Sequence, residues 1–196
     1  MEEDKYKNEL KSEIEALNSL INLLASLGKD VSLYALGGTA MVLAGHKAAT
    51  RDIDFLTTNE YEEIRDIFSL MNLEELDRGK ICNKWKFDNR RLDIFYSDKD
   101  MIMGFPLSET WKEDSKLIRK LRTVSLYTLS WQDIISTKLA RGEPRDFEDI
   151  LNILDNEKID FDNFEEGFRK NADVCAGSTR KCIENLEEFK RRIKNG

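Results

Sequence analysis

Two aspartates two residues apart, Asp52 and Asp54, open an apolar, β-favouring run, Asp-Ile-Asp-Phe-Leu-Thr. Successive strand side chains alternate between faces, so both carboxylates project together while Ile53 and Phe55 turn toward a core. Adjacent carboxylates repel, and a fold that builds such a pair usually sets a cation between them. A third acid, Asp93, stands in the run Arg-Leu-Asp-Ile-Phe-Tyr, which otherwise reads as buried strand, where a carboxylate needs a reason. Upstream, Gly37-Gly38 makes a turn between a strand predicted over 32–36 and a short helix over 39–44. Such a turn leaves backbone N–H groups and the positive end of a helix dipole for an anion. Three carboxylates side by side can hold two Mg²⁺ about 3.5–4 Å apart, one activating an attacking oxygen and one clamping a triphosphate. An oxygen-ligand metal site beside an anion cradle is what nucleoside triphosphate chemistry requires.

A Gly-Gly turn, a short helix, Asp-x-Asp on the next strand and one Asp on a later strand resemble the nucleotidyltransferase superfamily with its polymerase-β-type palm. The stretch GGTAMVLAGHKAATRDIDFLT is most similar to the small prokaryotic branch that includes the AbiEii-type toxin nucleotidyltransferases, and the likeness spans residues 33–93. The resemblance implies an Mg²⁺-dependent transfer of a nucleoside monophosphate from an NTP to an acceptor hydroxyl, with pyrophosphate released. Asp52, Asp54 and Asp93 would hold two metal ions, with Asp93 also serving as base or metal holder for the acceptor hydroxyl. Gly37, Gly38 and Thr39 would cradle the β- and γ-phosphates.

Composition narrows the classes. The 196 residues suit one domain or a small two-part unit, and 40% hydrophobic with 35% charged residues suits a soluble, cytoplasmic protein. No apolar run reaches the length of a membrane span, and the first residues carry no secretory pattern. Three cysteines, Cys82, Cys175 and Cys182, make an odd set without Cys-x-x-Cys spacing and read as free thiols. The single histidine, His46, nearly excludes His-based triads and His-rich metal sites; its default role is structural, at a helix end. A net charge of −7 argues against a uniformly basic nucleic-acid binder. Basic clusters at 84–91, 116–122 and 190–194 read first as solvated faces, the first two also as candidates for a polyanionic acceptor or triphosphate.

These residues need positioning elements. Apolar positions spaced three and four apart from Leu10 to Leu27 predict a long amphipathic helix over 5–27 that ends at Gly28. A helix over 60–71 follows, then strands over 74–76 and 81–87, an Asp88-Asn89 turn, and the Asp93 strand over 90–96, the last two forming a hairpin. Residues 98–110 read as turns, with Met101, Met103 and Phe105 as loop and core contacts. One more strand is expected over 121–126. Ser130 and Asp133 form an N-cap pair that opens a helix through residue 140. Gly142 stops it, and Pro144 suits the first turn of the next, which runs to about residue 154. Helices over 161–170 and 178–193 complete the chain. The expected fold is α+β: a mixed sheet with helices packed on it, residues 1–129, followed by a helical bundle, residues 130–196.

A second patch, KLARGEPRDFEDI, extends the resemblance, because that branch carries a Lys followed by an Arg-Asp-x-x-Asp motif on its helical half. The correspondence falls on Lys138, Arg145, Asp146 and Asp149. Lys138 would neutralise charge on the departing pyrophosphate, with Arg145 and Asp146 orienting it or touching the nucleotide. The plainer reading is an inter-helix salt-bridge cluster. Arg51, pointing opposite to Asp52, ranks lower as a phosphate ligand. The acceptor stays open between an RNA 3′ end such as that of tRNA, a protein partner and a small molecule. A non-catalytic nucleotide- or partner-binding module on the same fold is the alternative.

Overall fold

The computed structural model describes residues 2–79, 82–96 and 100–195. In chain order the elements are α1 (Glu2–Ser26), β1 (Val31–Ala35), α2 (Gly37–Leu43), β2 (Asp52–Thr57), α3 (Tyr61–Leu70), β3 (Glu74–Arg78), β4 (Cys82–Phe87) and β5 (Arg90–Tyr96). They continue as β6 (Met101–Ile102), β7 (Phe105–Pro106), α4 (Trp111–Asp114), β8 (Lys116–Leu121) and β9 (Val124–Thr128). The last four helices are α5 (Trp131–Arg141), α6 (Pro144–Asn156), α7 (Phe161–Ala172) and α8 (Thr179–Asn195). Two compact units result, Met1–Asp98 with Ser115–Leu129, and Lys99–Asp114 with Ser130–Gly196. Residues 100–114, ahead of the expected boundary after residue 129, thus cluster with the second unit.

The first unit is a seven-stranded mixed sheet in the order β3-β4-β5-β2-β1-β9-β8. The pairs β1–β9 and β2–β5 are parallel, and the others are antiparallel. The apolar stripe of α1 is buried as its spacing predicts: Leu17, Leu20, Ile21 and Leu24 are at most 3% exposed. A polar side of α1 reaches the edge strand β8, where Arg119 donates to Asn18 Oδ1 (2.6 Å) and Asn22 Oδ1 (3.2 Å).

Two segments differ from expectation. The strand expected over 121–126 is a hairpin, β8 and β9, turning at Arg122 with φ +53°. Its first strand is basic at the sheet edge, so its alternation does not separate apolar from polar residues, and only pairing with β9 reveals it. The stretch read as turns holds the short β6–β7 hairpin, with Met103 and Gly104 at positive φ, and the one-turn helix α4 follows it. Phe105 is core there and Met103 is exposed. Of the predicted strand over 81–87 and the predicted turns over 98–110, residues 81, 98 and 99 lie outside the described residues.

The second unit follows its punctuation closely. Ser130 Oγ accepts from Asp133 N (3.1 Å), and the Asp133 carboxylate accepts from Ser130 Oγ, Ser108 N and Ser108 Oγ. Gly142 ends α5 in the left-handed region, φ +67°, and Asn185 caps that end by donating to Leu139 O (2.9 Å) and Ala140 O (3.3 Å). A Cβ on Gly142 would lie 2.2–2.6 Å from the Asn185 amide. Gly142→Ala should therefore combine a left-handed backbone penalty with loss of the cap, lowering stability by about 2 kcal/mol in denaturant melts.

Phe147, Phe164, Phe168 and Phe189 fill the core of this unit. On its rim, Glu165 receives Lys190 (2.7 Å) and Arg169 (2.7 Å). The Lys190 hydrogen bond leads the interactions that hold the Glu165 carboxyl below the usual carboxylate range. A depressed carboxylate stabilises the fold above its unfolded pKa, and that contribution is lost as pH falls through the folded value. Glu165→Gln should melt lower than wild type at pH 7, by about 1 kcal/mol, with the gap closing below about pH 4. Thermal melts from pH 7 to 3 give the comparison. Among the described residues, no helix is long and apolar enough to cross a membrane.

Candidate active site

Strand register decides which carboxylates meet. In the parallel pair β2–β5, Asp52 stands opposite Arg91 and Asp54 opposite Asp93, so all four side chains share one face. The next antiparallel pairs extend both rows, Arg91 to Lys86 to Glu74, and Asp93 to Lys84 to Asp77. The other face is apolar: Ile53, Phe55, Trp85, Phe87, Leu92 and Ile94 are all buried. Trp85 meets Phe68 of α3 edge-on at 5.1 Å. A hydrophobic anchor on one side thus holds a charged platform on the other.

The Gly-Gly turn buttresses this platform. Leu36 N donates to Asp54 O (3.3 Å). The Thr39 hydroxyl, fully buried, accepts from Asp54 N (2.9 Å) and donates to Asp52 O (3.5 Å). Thr39 therefore clamps the first residues of β2 with its hydroxyl, which leaves its backbone N–H as the group to meet a phosphate. Gly37 has φ +54°, and a Cβ there would lie 3.3 Å from Asp54 Oδ2; one on Gly38 would lie 2.4 Å from Thr50 Oγ1. Both glycines let the turn pass close to the acid pair and the loop before it. Arg51 is exposed at the bend preceding β2.

Arg91, on the same face two residues before Asp93, donates through Nε to Asp93 Oδ1 (2.8 Å) and through Nη2 to Asp52 Oδ2 (2.6 Å). Sequence reading placed it only within a basic cluster; the i, i+2 spacing to Asp93 was the signal that pointed to it. Burial raises the Asp93 pKa, Arg91 pulls it back down, and the charge on Asp52 raises it again. Cys82 lies on the same face of β4, and burial followed by the charges of Asp93 and Asp54 pushes its thiol up to about 12. That environment favours the protonated thiol.

Among the described residues, no three His, Cys, Asp or Glu side chains are arranged as a ready metal cage. A guanidinium, that of Arg91, bridges Asp52 and Asp93 there. The donor chemistry nevertheless fits a hard divalent ion, since Asp52, Asp54 and Asp93 are oxygen donors on one face of two registered strands. Gly37 also keeps the space beside Asp54 Oδ2 clear of a side chain.

The second-unit residues form a different arrangement. Lys138, 4% exposed, donates to Asp149 Oδ2 (2.6 Å) and lies 3.7 Å from Asp146 Oδ1. Asp146 is fully buried, accepts both prongs of Arg141, and caps α6 by accepting from Glu143 N (3.1 Å). Arg145 is exposed and pairs with Glu143 (2.9 Å). These contacts of Lys138 and Asp146 join α5 to α6 or cap α6, the arrangement of an inter-helix salt-bridge cluster.

The chain matches the family described as "Nucleotidyltransferase of unknown function (DUF6036)" over residues 12–194. It belongs to that nucleotidyltransferase family. Among solved structures, an antigenic nucleotidyltransferase-like protein from Paracoccidioides brasiliensis is similar at 14% identity and TM-score 0.50, covering 96% of this chain and 91% of that one. JHP933 from Helicobacter pylori is similar at 13% identity and TM-score 0.49, with 94% and 91% covered. ANT(2")-Ia in complex with adenylyl-2"-tobramycin is similar at 13% identity and TM-score 0.48, with 92% and 99% covered. At that identity the likeness to the Paracoccidioides brasiliensis protein is one of fold. No curated protein matches the chain by sequence.

Proposed function

We propose that this chain transfers a nucleoside monophosphate from an NTP to an acceptor hydroxyl. The observation that carries the reading is the register of Asp54 with Asp93, with Asp52 on the same face, in a chain of a nucleotidyltransferase family. The acceptor oxygen attacks the α-phosphorus; the new O–P bond forms as the bond to the bridging oxygen breaks and pyrophosphate leaves. Asp52, Asp54 and Asp93 would hold Mg²⁺, which when bound supplies Lewis-acid stabilisation of the phosphoryl charge. Asp93, whose burial raises its proton affinity, suits the acceptor hydroxyl's proton. Backbone N–H groups of Gly37, Gly38 and Thr39 would meet the β- and γ-phosphates, with Arg51 at the rim. Lys138, Arg145 and Asp146 act on this reading as a brace for the helical unit.

The acceptor class is settled by experiment. Each α-labelled NTP is incubated with Mg²⁺ and the protein, together with total RNA, a protein extract or a small-molecule extract. Label should move onto one pool in wild type and not in Asp54→Asn or with EDTA. Label retained in every NTP and every pool, with NTP binding intact, would overturn the reading in favour of a nucleotide-binding module.

A further inference from the structure

We infer that Arg91 is the resident counter-cation of the carboxylate cluster, spanning Asp52 and Asp93 until a divalent ion displaces it; this rests on the metal site proposed above. Its two contacts come from different nitrogens to acids on different strands, 2.8 Å to Asp93 on its own strand and 2.6 Å to Asp52 on β2. That geometry suits the rigid fork of a guanidinium, and a single ammonium point charge reproduces it poorly. Without a cation, three acids on one partly buried face repel one another.

The groups around Arg91 leave it this task. Lys84, beside Asp93 in register, is drawn away to Asp77 at 2.8 Å. Lys86, beside Arg91 in register, is exposed. The neighbouring Arg90 shows the contrast: it pairs with the buried Glu13 of α1 and is 25% exposed, a fixed structural bridge. The Arg91 side chain is 43% exposed, so its guanidinium can turn outward while β5 stays paired with β2 and β4. A doubly charged ion that gathers all three acids can then replace the single positive charge that spans Asp52 and Asp93. Arg91 thereby holds the ligands in place before the ion arrives and sets the concentration at which it enters.

The test titrates Mn²⁺, without nucleotide, into wild type, Arg91→Gln, Arg91→Lys and Asp54→Asn, with calorimetry and metal-free thermal melts. Arg91→Gln should bind Mn²⁺ on the order of tenfold more tightly, because its competitor is gone. It should also melt lower than wild type without metal and gain more from Mn²⁺. Arg91→Lys, which keeps the charge but not the fork, should fall between them. If wild type binds Mn²⁺, Asp54→Asn does not, and both Arg91 variants bind as wild type or more weakly, the inference is overturned while the metal site stands. No Mn²⁺ binding to any form would overturn the metal site itself.

Discussion

Asp54→Asn should lose nucleotidyl transfer by on the order of a thousandfold or more, and its melting temperature should hold or rise. The two effects come from one cause. Asp54 shares a face with Asp52 and stands in register with Asp93, so its negative charge adds to a crowded carboxylate face that suits a divalent cation. Asparagine keeps the shape and removes the charge. The backbone contacts that seat β2 are untouched, since Thr39 and Leu36 hold the N–H and C=O of residue 54 and not its carboxylate. A structural aspartate would behave oppositely, with stability falling and transfer following it. Turnover and thermal melts on the same preparations, without metal and with Mg²⁺, separate the two cases. Mg²⁺ should raise the melting temperature of wild type and leave that of the variant nearly unchanged.

Lys138→Met should cost about 3 kcal/mol of stability, a fall in melting temperature of roughly 10 °C. Methionine fits the apolar stem, but it leaves Asp149 without its 2.6 Å ammonium partner, and the Asp149 side chain is only 14% exposed. Asp146 is affected less, because Arg141 still binds both of its oxygens. The decisive arm is the double variant Lys138→Met with Asp149→Leu. Removing both charges of a buried pair is often close to neutral, so most of the lost stability should return. If Lys138 only braces the helices, transfer activity returns with the fold. A double variant that refolds but has lost turnover would restore Lys138 as a pyrophosphate-stabilising group. Chemical denaturation and steady-state turnover, measured on all three proteins, decide the matter.

Both results bear on how a nucleotidyltransferase fold distributes its charge. The sheet of the first unit carries its acids on a surface backed by Trp85, Phe87, Leu92 and Ile94, all buried. Removing one acid from such a platform leaves its apolar support intact. The charged cluster of the second unit instead lies where two helices meet, so its members are coupled to folding. Substitutions of acids in the two clusters should therefore differ in kind: loss of chemistry with the fold kept in the first, loss of the fold with chemistry following in the second.

Local pattern by itself determined much of this. Period-two alternation put Asp52 with Asp54 and set Ile53 and Phe55 opposite, and the three-and-four spacing of leucines drew α1. Ser130, Gly142 and Pro144 marked helix ends where α5 and α6 begin and stop. The mixed sheet and the α+β class follow from the order of such elements, and capping and alternation act within a few residues. Tertiary structure alone decided the register that puts Asp54 opposite Asp93, the pairing that turns a basic stretch into edge strand β8, and the partners of the charged side chains. A lysine or arginine has the same local signature whether it faces a phosphate, solvent or an aspartate. Lys138 is enclosed by Asp149 and Asp146, Thr39 turns its hydroxyl to the β2 backbone, and Arg91 spans two strands. Each of these choices is set by what the rest of the chain brings within about 3 Å of a polar atom, and residue spacing carries no record of that distance.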